Sequence, residues 1–163
     1  MSAMRRCGLR APTAGQRVRQ NGRFFRDAAQ CNALKNSVLP ELIAKKRESF
    51  RHLSLWSAGC ATGEEPYTLA IMLRELIPDI ADWTFTILAT DITLSAIELA
   101  RGGIYKARSS RWETRPDVQD RWFKTRGQSY ELDPSVRDMV EFAPLNLISD
   151  DYPSFESRTM NLD

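Results

Sequence analysis

The residues best placed to do chemistry lie in one stretch, Leu55-Trp56-Ser57-Ala58-Gly59-Cys60-Ala61-Thr62-Gly63-Glu64-Glu65-Pro66-Tyr67. Its apolar start reads as the end of a buried strand, and its second half as the start of a helix. Between them, Gly59 and Gly63 permit a tight bend and let backbone approach a ligand closely. Thr62 and Glu65 stand at capping-box spacing, which predicts Thr62 as the helix N-cap. Pro66 falls in the first turn, where its missing N–H costs little. A helix N-terminus at the carboxyl end of a first strand is where open α/β sheets take nucleotide-like ligands.

The acids decide which ligand. A phosphate cradle places Lys and Ser or Thr after the second glycine, and here Glu64 and Glu65 occupy that place. Two carboxylates repel a triphosphate. The G-x-x-x-G spacing also differs from the G-x-G-x-x-G of a dinucleotide site. Acids at the bend suit a cationic ligand, and S-adenosylmethionine, with an ammonium, a sulfonium and no phosphate, qualifies. Asp91 ends a second apolar run, where a carboxylate can accept both ribose hydroxyls; it stands equally as the N-cap of the helix that follows. Asn146-Leu147 can offer an amide and an apolar wall to an adenine, although Asn146 by itself reads as a turn residue.

These groups need a scaffold. Ala28 to Lys46 has helical spacing of apolar residues, with Pro40 predicting a kink or break inside it. Leu53 to Ala58, Thr84 to Thr90 and Met139 to Phe142 read as strands. Glu64 to Leu76 and Leu94 to Arg101 read as helices, the second stopped by Gly102-Gly103. Residues 105–137 are polar and mixed, with a short helix expected at Asp117–Phe123. Strands alternating with helices predict an α/β fold with a parallel sheet covered by helices.

The chain has 163 residues, of which 42% are hydrophobic and 27% charged, with a formal net charge of +2. That excludes collagen-like, low-complexity and disulfide-dense classes, and no run approaches the ~20 apolar residues of a membrane helix. No metal site is expected: His52 is the single histidine, and Cys7, Cys31 and Cys60 lie far apart. The cysteines read as reduced thiols of a cytoplasmic protein, and Cys60 is not expected to be reactive. Residues 1–26 hold seven arginines and no acid. Residues 1–19 are expected to be disordered, and neither nucleic acid nor a membrane is an expected partner. The cluster Arg101, Lys106, Arg108 and Arg111 reads as a solvated face. Trp112, Trp122 and Phe123 read as packing. The oligomeric state is not legible.

The long stretch from Trp56 to Tyr67 closely resembles the signature of CheR-type chemotaxis methyltransferases. Arg23-Phe24-Phe25-Arg26-Asp27, Val38-Leu39-Pro40-Glu41-Leu42, Ile87-Leu88-Ala89-Thr90-Asp91-Ile92 and Phe142-Ala143-Pro144-Leu145-Asn146-Leu147 agree in order and spacing. The resemblance implies a Rossmann-like methyltransferase fold. It implies transfer of a methyl group from S-adenosylmethionine to glutamate side chains of chemoreceptor cytoplasmic domains, by in-line attack of the carboxylate. It implies Gly59, Gly63 and Glu65 beside the cofactor, Asp91 on its ribose, Asn146 and Leu147 on its adenine, and Arg26 in the active site. From its surroundings alone Arg26 reads as a surface charge.

The chain also departs from that family. Gln20, Asn21 and Gly22 replace the small polar pair expected before Phe24, and the arginine-rich start replaces a helical region. The family's sheet continues beyond the position of Asp163. The expectation is therefore a partial domain over residues 20–163, holding strands 3-2-1 of the parallel sheet with flanking helices. Its first strand would lie at an open edge, with cofactor binding weakened. A non-catalytic remnant, or a fragment of a longer protein, is the alternative to an active enzyme.

Overall fold

The computed structural model describes residues 22–106 and 115–148. Apolar runs separated by helices can bury both faces when they align as parallel strands. β1 (His52–Ala58) pairs in parallel with β2 (Thr84–Asp91), from His52 opposite Thr84 to Ala58 opposite Thr90. β2 pairs in parallel with β6 (Val140–Pro144), from Ile87 opposite Val140 to Asp91 opposite Pro144. The order β1-β2-β6 is the one expected for the first three strands of a methyltransferase sheet. Among the described residues, β1 is paired along one side only. The third strand ends two residues later than the sequence reading placed it.

α3 (Glu64–Leu76) connects β1 to β2, as the sequence predicts. Its Tyr67, Ala70, Ile71 and Leu73 are fully buried. The helix ends where Ile77 turns extended ahead of Pro78. The residue before a proline is disfavoured in helical geometry, which accounts for the stop. α4 (Leu94–Gly102) follows β2 and ends on Gly103 in the left-handed conformation, one residue beyond the predicted Arg101. The Tyr67 hydroxyl donates to the Ala100 carbonyl at 2.9 Å, which binds α3 to the last turn of α4.

Of the kink or break expected at Pro40, the break does not occur, and the N-terminal helix continues through a change of winding. α1 (Ala28–Ala33) runs through a π-helical segment, Leu34–Val38, into α2 (Leu39–Arg47). The Leu39 amide reaches five residues back, to the Leu34 carbonyl. The wider turn absorbs the proline, which has no N–H of its own to give.

The polar stretch after α4 holds more structure than its sequence suggests. β3 (Ile104–Lys106), β4 (Phe123–Arg126) and β5 (Ser129–Leu132) form a separate antiparallel sheet in the order β3-β5-β4. α5 (Pro116–Trp122) precedes β4, one residue earlier than predicted, and α6 (Pro134–Arg137) follows β5. Trp122 and Phe123 are buried, as the packing reading requires. Cys7, Arg108, Arg111, Trp112 and the arginine-rich start lie outside the described residues.

Gly63 joins the two sheets to α3. Its φ is +92°, and a Cβ placed there would lie 2.9 Å from the Ala100 Cβ. Gly63→Ala therefore meets both the left-handed penalty of about 1–2 kcal/mol and a clash in the core. Urea unfolding should show a loss of about 2 kcal/mol or more; a loss under about 0.5 kcal/mol would contradict this packing.

Candidate functional site

The bend between β1 and α3 is held by the end of β2. The Gly59 and Cys60 amides both donate to the Thr90 carbonyl, at 2.7 and 2.9 Å. The Ala61 amide donates to Asp91 Oδ2 at 2.9 Å, and the Gly63 amide to the Cys60 carbonyl at 2.9 Å. These four amides are committed within the bend and to the end of β2 and are not offered to a ligand. Gly59 has φ +77°, and a Cβ there would meet nothing within 4 Å. Space is open in front of it.

The predicted capping box does not form. Gly63, not Thr62, occupies the N-cap position, and no side chain caps α3. Thr62 Oγ1 instead donates to Glu64 Oε2 at 2.7 Å, and Glu65 Oε1 accepts from Ser57 Oγ at 2.6 Å. The left-handed turn at Gly63 carries Thr62 away from the helix axis, so its hydroxyl finds a carboxylate before it finds an amide.

The two acids have different surroundings. Glu65 is exposed. Glu64 is buried, and burial raises its carboxyl above the ordinary range although the Thr62 hydroxyl opposes the shift. The Gly22 backbone lies flat against this carboxylate: a Cβ at Gly22 would fall 2.2 Å from Glu64 Oε2. Asp91 is half-buried and accepts from two amides, Ala61 through Oδ2 and Thr93 through Oδ1 at 2.8 Å. Thr93, not Asp91, is the N-cap of α4.

Residues 23–27 reach the bend by anchoring two rings. Phe24 is buried edge-on to Tyr105 and Phe123, with centroids 5.0 and 5.2 Å apart. Phe25 is buried with φ 52°, its amide donating to Thr68 Oγ1 at 3.2 Å. Asp27 then caps α1 by accepting from the Gln30 amide at 3.0 Å. Arg26, between hook and cap, is exposed and makes no ion pair among the described residues.

Arg26, Gly59, Cys60, Ala61, Glu64 and Glu65 line one cleft of about 1180 Å³, together with Leu55 and Trp56 of β1. Of the remaining sequence-predicted residues, Asp91 is tied to the cleft's Ala61 without lining it. Gly63 is buried under α4, and Asn146 and Leu147 lie beyond β6, off the cleft wall. Asn146 Oδ1 accepts from the Ile148 amide at 3.0 Å, as its turn reading expects.

Residues 20–158 match the family model of the CheR methyltransferase SAM-binding domain. The chain belongs to this family. A "Probable chemotaxis protein methyltransferase" of Rhizobium etli is 33% identical over 88% of the chain and 58% of its own length. A "Chemotaxis protein methyltransferase" of Borreliella burgdorferi is 34% identical over 80% and 47%, and a "Chemotaxis protein methyltransferase 1" of Pseudomonas aeruginosa 33% over 91% and 55%. The chain thus spans about half the length of these curated relatives.

S-adenosylmethionine is the cofactor of this CheR domain, and the residues present fit it. The cleft offers an exposed carboxylate and open space before Gly59. Asp91 uses two of about four acceptor positions on amides, which leaves two for a pair of hydroxyls. Among the described residues there is no cluster able to hold a metal ion, and no helix is long and apolar enough to cross a membrane. Burial, with Asp91 beside it, pushes the Cys60 thiol up to about 12, so Cys60 is no nucleophile. His52 is spent on Thr86 Oγ1 at 3.2 Å.

Sequence reasoning missed Ser57, Thr68 and Tyr105. All three have ordinary residue types at unremarkable spacing and matter only through their partners. Glu64 carries a prediction. Its ordinary pKa is 4.5 and its folded value is higher. Below that, folded and unfolded chains both hold the proton and the buried acid costs nothing. As pH rises through it, the unfolded chain gives up its proton first and the fold loses stability. Glu64→Gln should match the parent Tm near pH 4 and exceed it increasingly toward about pH 7. A pH-independent difference would contradict the burial.

Proposed function

We propose that this chain is the cofactor-holding part of an enzyme that methylates glutamate side chains of chemoreceptor cytoplasmic domains. The observation that carries the reading is the convergence of Arg26, Gly59 and Glu65 on one cleft, with Asp91 hydrogen-bonded to the same bend. Glu65 faces the cationic end of S-adenosylmethionine, Asp91 takes the ribose hydroxyls, and Gly59 leaves room for the ligand to lie against the bend. Asn146 and Leu147, which lie beyond β6 and off the cleft wall, are the adenine contacts that the family resemblance implies. Bound there, the cofactor supplies an electrophilic methyl group on a sulfonium.

The chain's own residues then have a modest task. A substrate glutamate has a pKa near about 4.3 and is already an anion at neutral pH. No general base is needed, which agrees with a cleft lined by no histidine. What remains is to hold the incoming carboxylate at contact distance in line with the methyl group. Arg26, exposed at the cleft and without an ion pair among the described residues, is free to orient it. A pair that is too tight would stabilise the ground-state anion and slow attack, so Arg26 serves best at the mouth. The proposed location is the cytoplasm, where receptor methylation sites are accessible.

Two measurements test this. Titration of S-adenosylmethionine into the chain should show saturable binding that Asp91→Ala weakens by about tenfold or more; binding indifferent to Asp91 would refute the ribose assignment. Replacing the arginine that aligns with Arg26 by alanine in the full-length Pseudomonas aeruginosa relative should cut base-labile methyl incorporation into a receptor cytoplasmic fragment by about tenfold or more. Unchanged turnover would end its catalytic role.

A further inference from the structure

We infer that Ser57 is a positioning residue for the amino-acid end of the cofactor, its hydroxyl fixing one oxygen of Glu65 and leaving the other to meet an ammonium group. The inference rests on the S-adenosylmethionine reading above.

Ser57 is 1% exposed, near the end of β1 and opposite Ala89 in the ladder. It shares a strand face with Leu53 and Leu55, where an apolar residue would pack without cost. A buried hydroxyl needs a partner, and the one it has is Glu65 Oε1, at 2.6 Å. The serine hydroxyl donates and the Glu65 carboxylate accepts. Glu65 itself is exposed on the first turn of α3 and lines the cleft. Its long side chain would otherwise sample many rotamers, and ordering it at the moment of binding would weaken affinity. Ser57 orders it beforehand. With Oε1 engaged by Ser57, Oε2 accepts nothing from the described residues and is left for a ligand cation.

The bond also separates two roles for a serine that could be mistaken for a structural stitch. A stitch between β1 and α3 would affect every ligand of the cleft alike. A positioner of Glu65 affects only ligands that carry the ammonium. S-adenosylhomocysteine and methylthioadenosine share the nucleoside and the thioether and differ in the amino-acid end.

The experiment titrates both compounds into the chain, into Ser57→Ala, into Glu65→Gln and into the double variant. Ser57→Ala should weaken S-adenosylhomocysteine by about fivefold, the loss of one hydrogen bond, and leave methylthioadenosine unchanged. Glu65→Gln, a change at an exposed position, should show the same selectivity, and Ser57→Ala should add little on top of it. Equal weakening of both compounds, no effect on S-adenosylhomocysteine, or full additivity with Glu65→Gln overturns the role of Ser57 while the cofactor reading stands. Failure of the parent chain to bind either compound overturns the cofactor reading and this inference with it.

Discussion

Three consecutive amides, those of Gly59, Cys60 and Ala61, donate to the last two residues of β2. The rest of the site depends on this stitch. It closes the carboxyl ends of β1 and β2 onto each other, so the chain must leave β1 through a bend rather than a straight run. It places the N-terminus of α3 beside Asp91. It also turns those three amides inward, away from a ligand. On the cleft, Glu64 and Glu65 then follow the bend, with Arg26 among the other lining residues.

The two neighbouring acids show how one sequence feature divides into two physical roles. Glu64 is buried at the cleft wall, meets Thr62 and lies against Gly22. Glu65 points out, pinned by Ser57. Six residues lie between Ser57 and Glu64, yet they hold a strand end, a bend and the entry to a helix. Hydrogen bonds across that fold give the two acids different surroundings, one buried and one exposed. On the other side of the cleft, Phe24 and Phe25 act as a pair of hooks. Tyr105 and Phe123, from the small antiparallel sheet, seat the first. Thr68 of α3 holds the second. Arg26 is placed by its neighbours more than by any contact of its own.

Much of this was legible from residues alone. The apolar runs of β1 and β2 and the span Glu64–Leu76 declare themselves through length, burial on both faces and clear stops at glycine and proline. The glycine bend, its acids and its place between strand and helix together suggest a cationic nucleoside, which charge alone does not. The parts that were not legible share a cause. Ile104–Lys106 and Phe123–Arg126 are too short to show a period. Thr62 has the spacing of a cap, but the left-handed φ of Gly63 aims it elsewhere. Pro40 has the signature of a break, but a π turn absorbs it. In each case tertiary geometry outweighs a local preference that is real but small.

The central claim is that the bend from Gly59 to Gly63, with Asp91 and Glu65 at its ends, cups a methyl-donating nucleoside. A crystal structure of the chain with S-adenosylhomocysteine tests it most directly. The account predicts the nucleoside lying against Gly59, its ribose hydroxyls on the Asp91 carboxylate and its ammonium on Glu65. Density for the compound elsewhere, or seated in the cleft with neither carboxylate in contact, would contradict it.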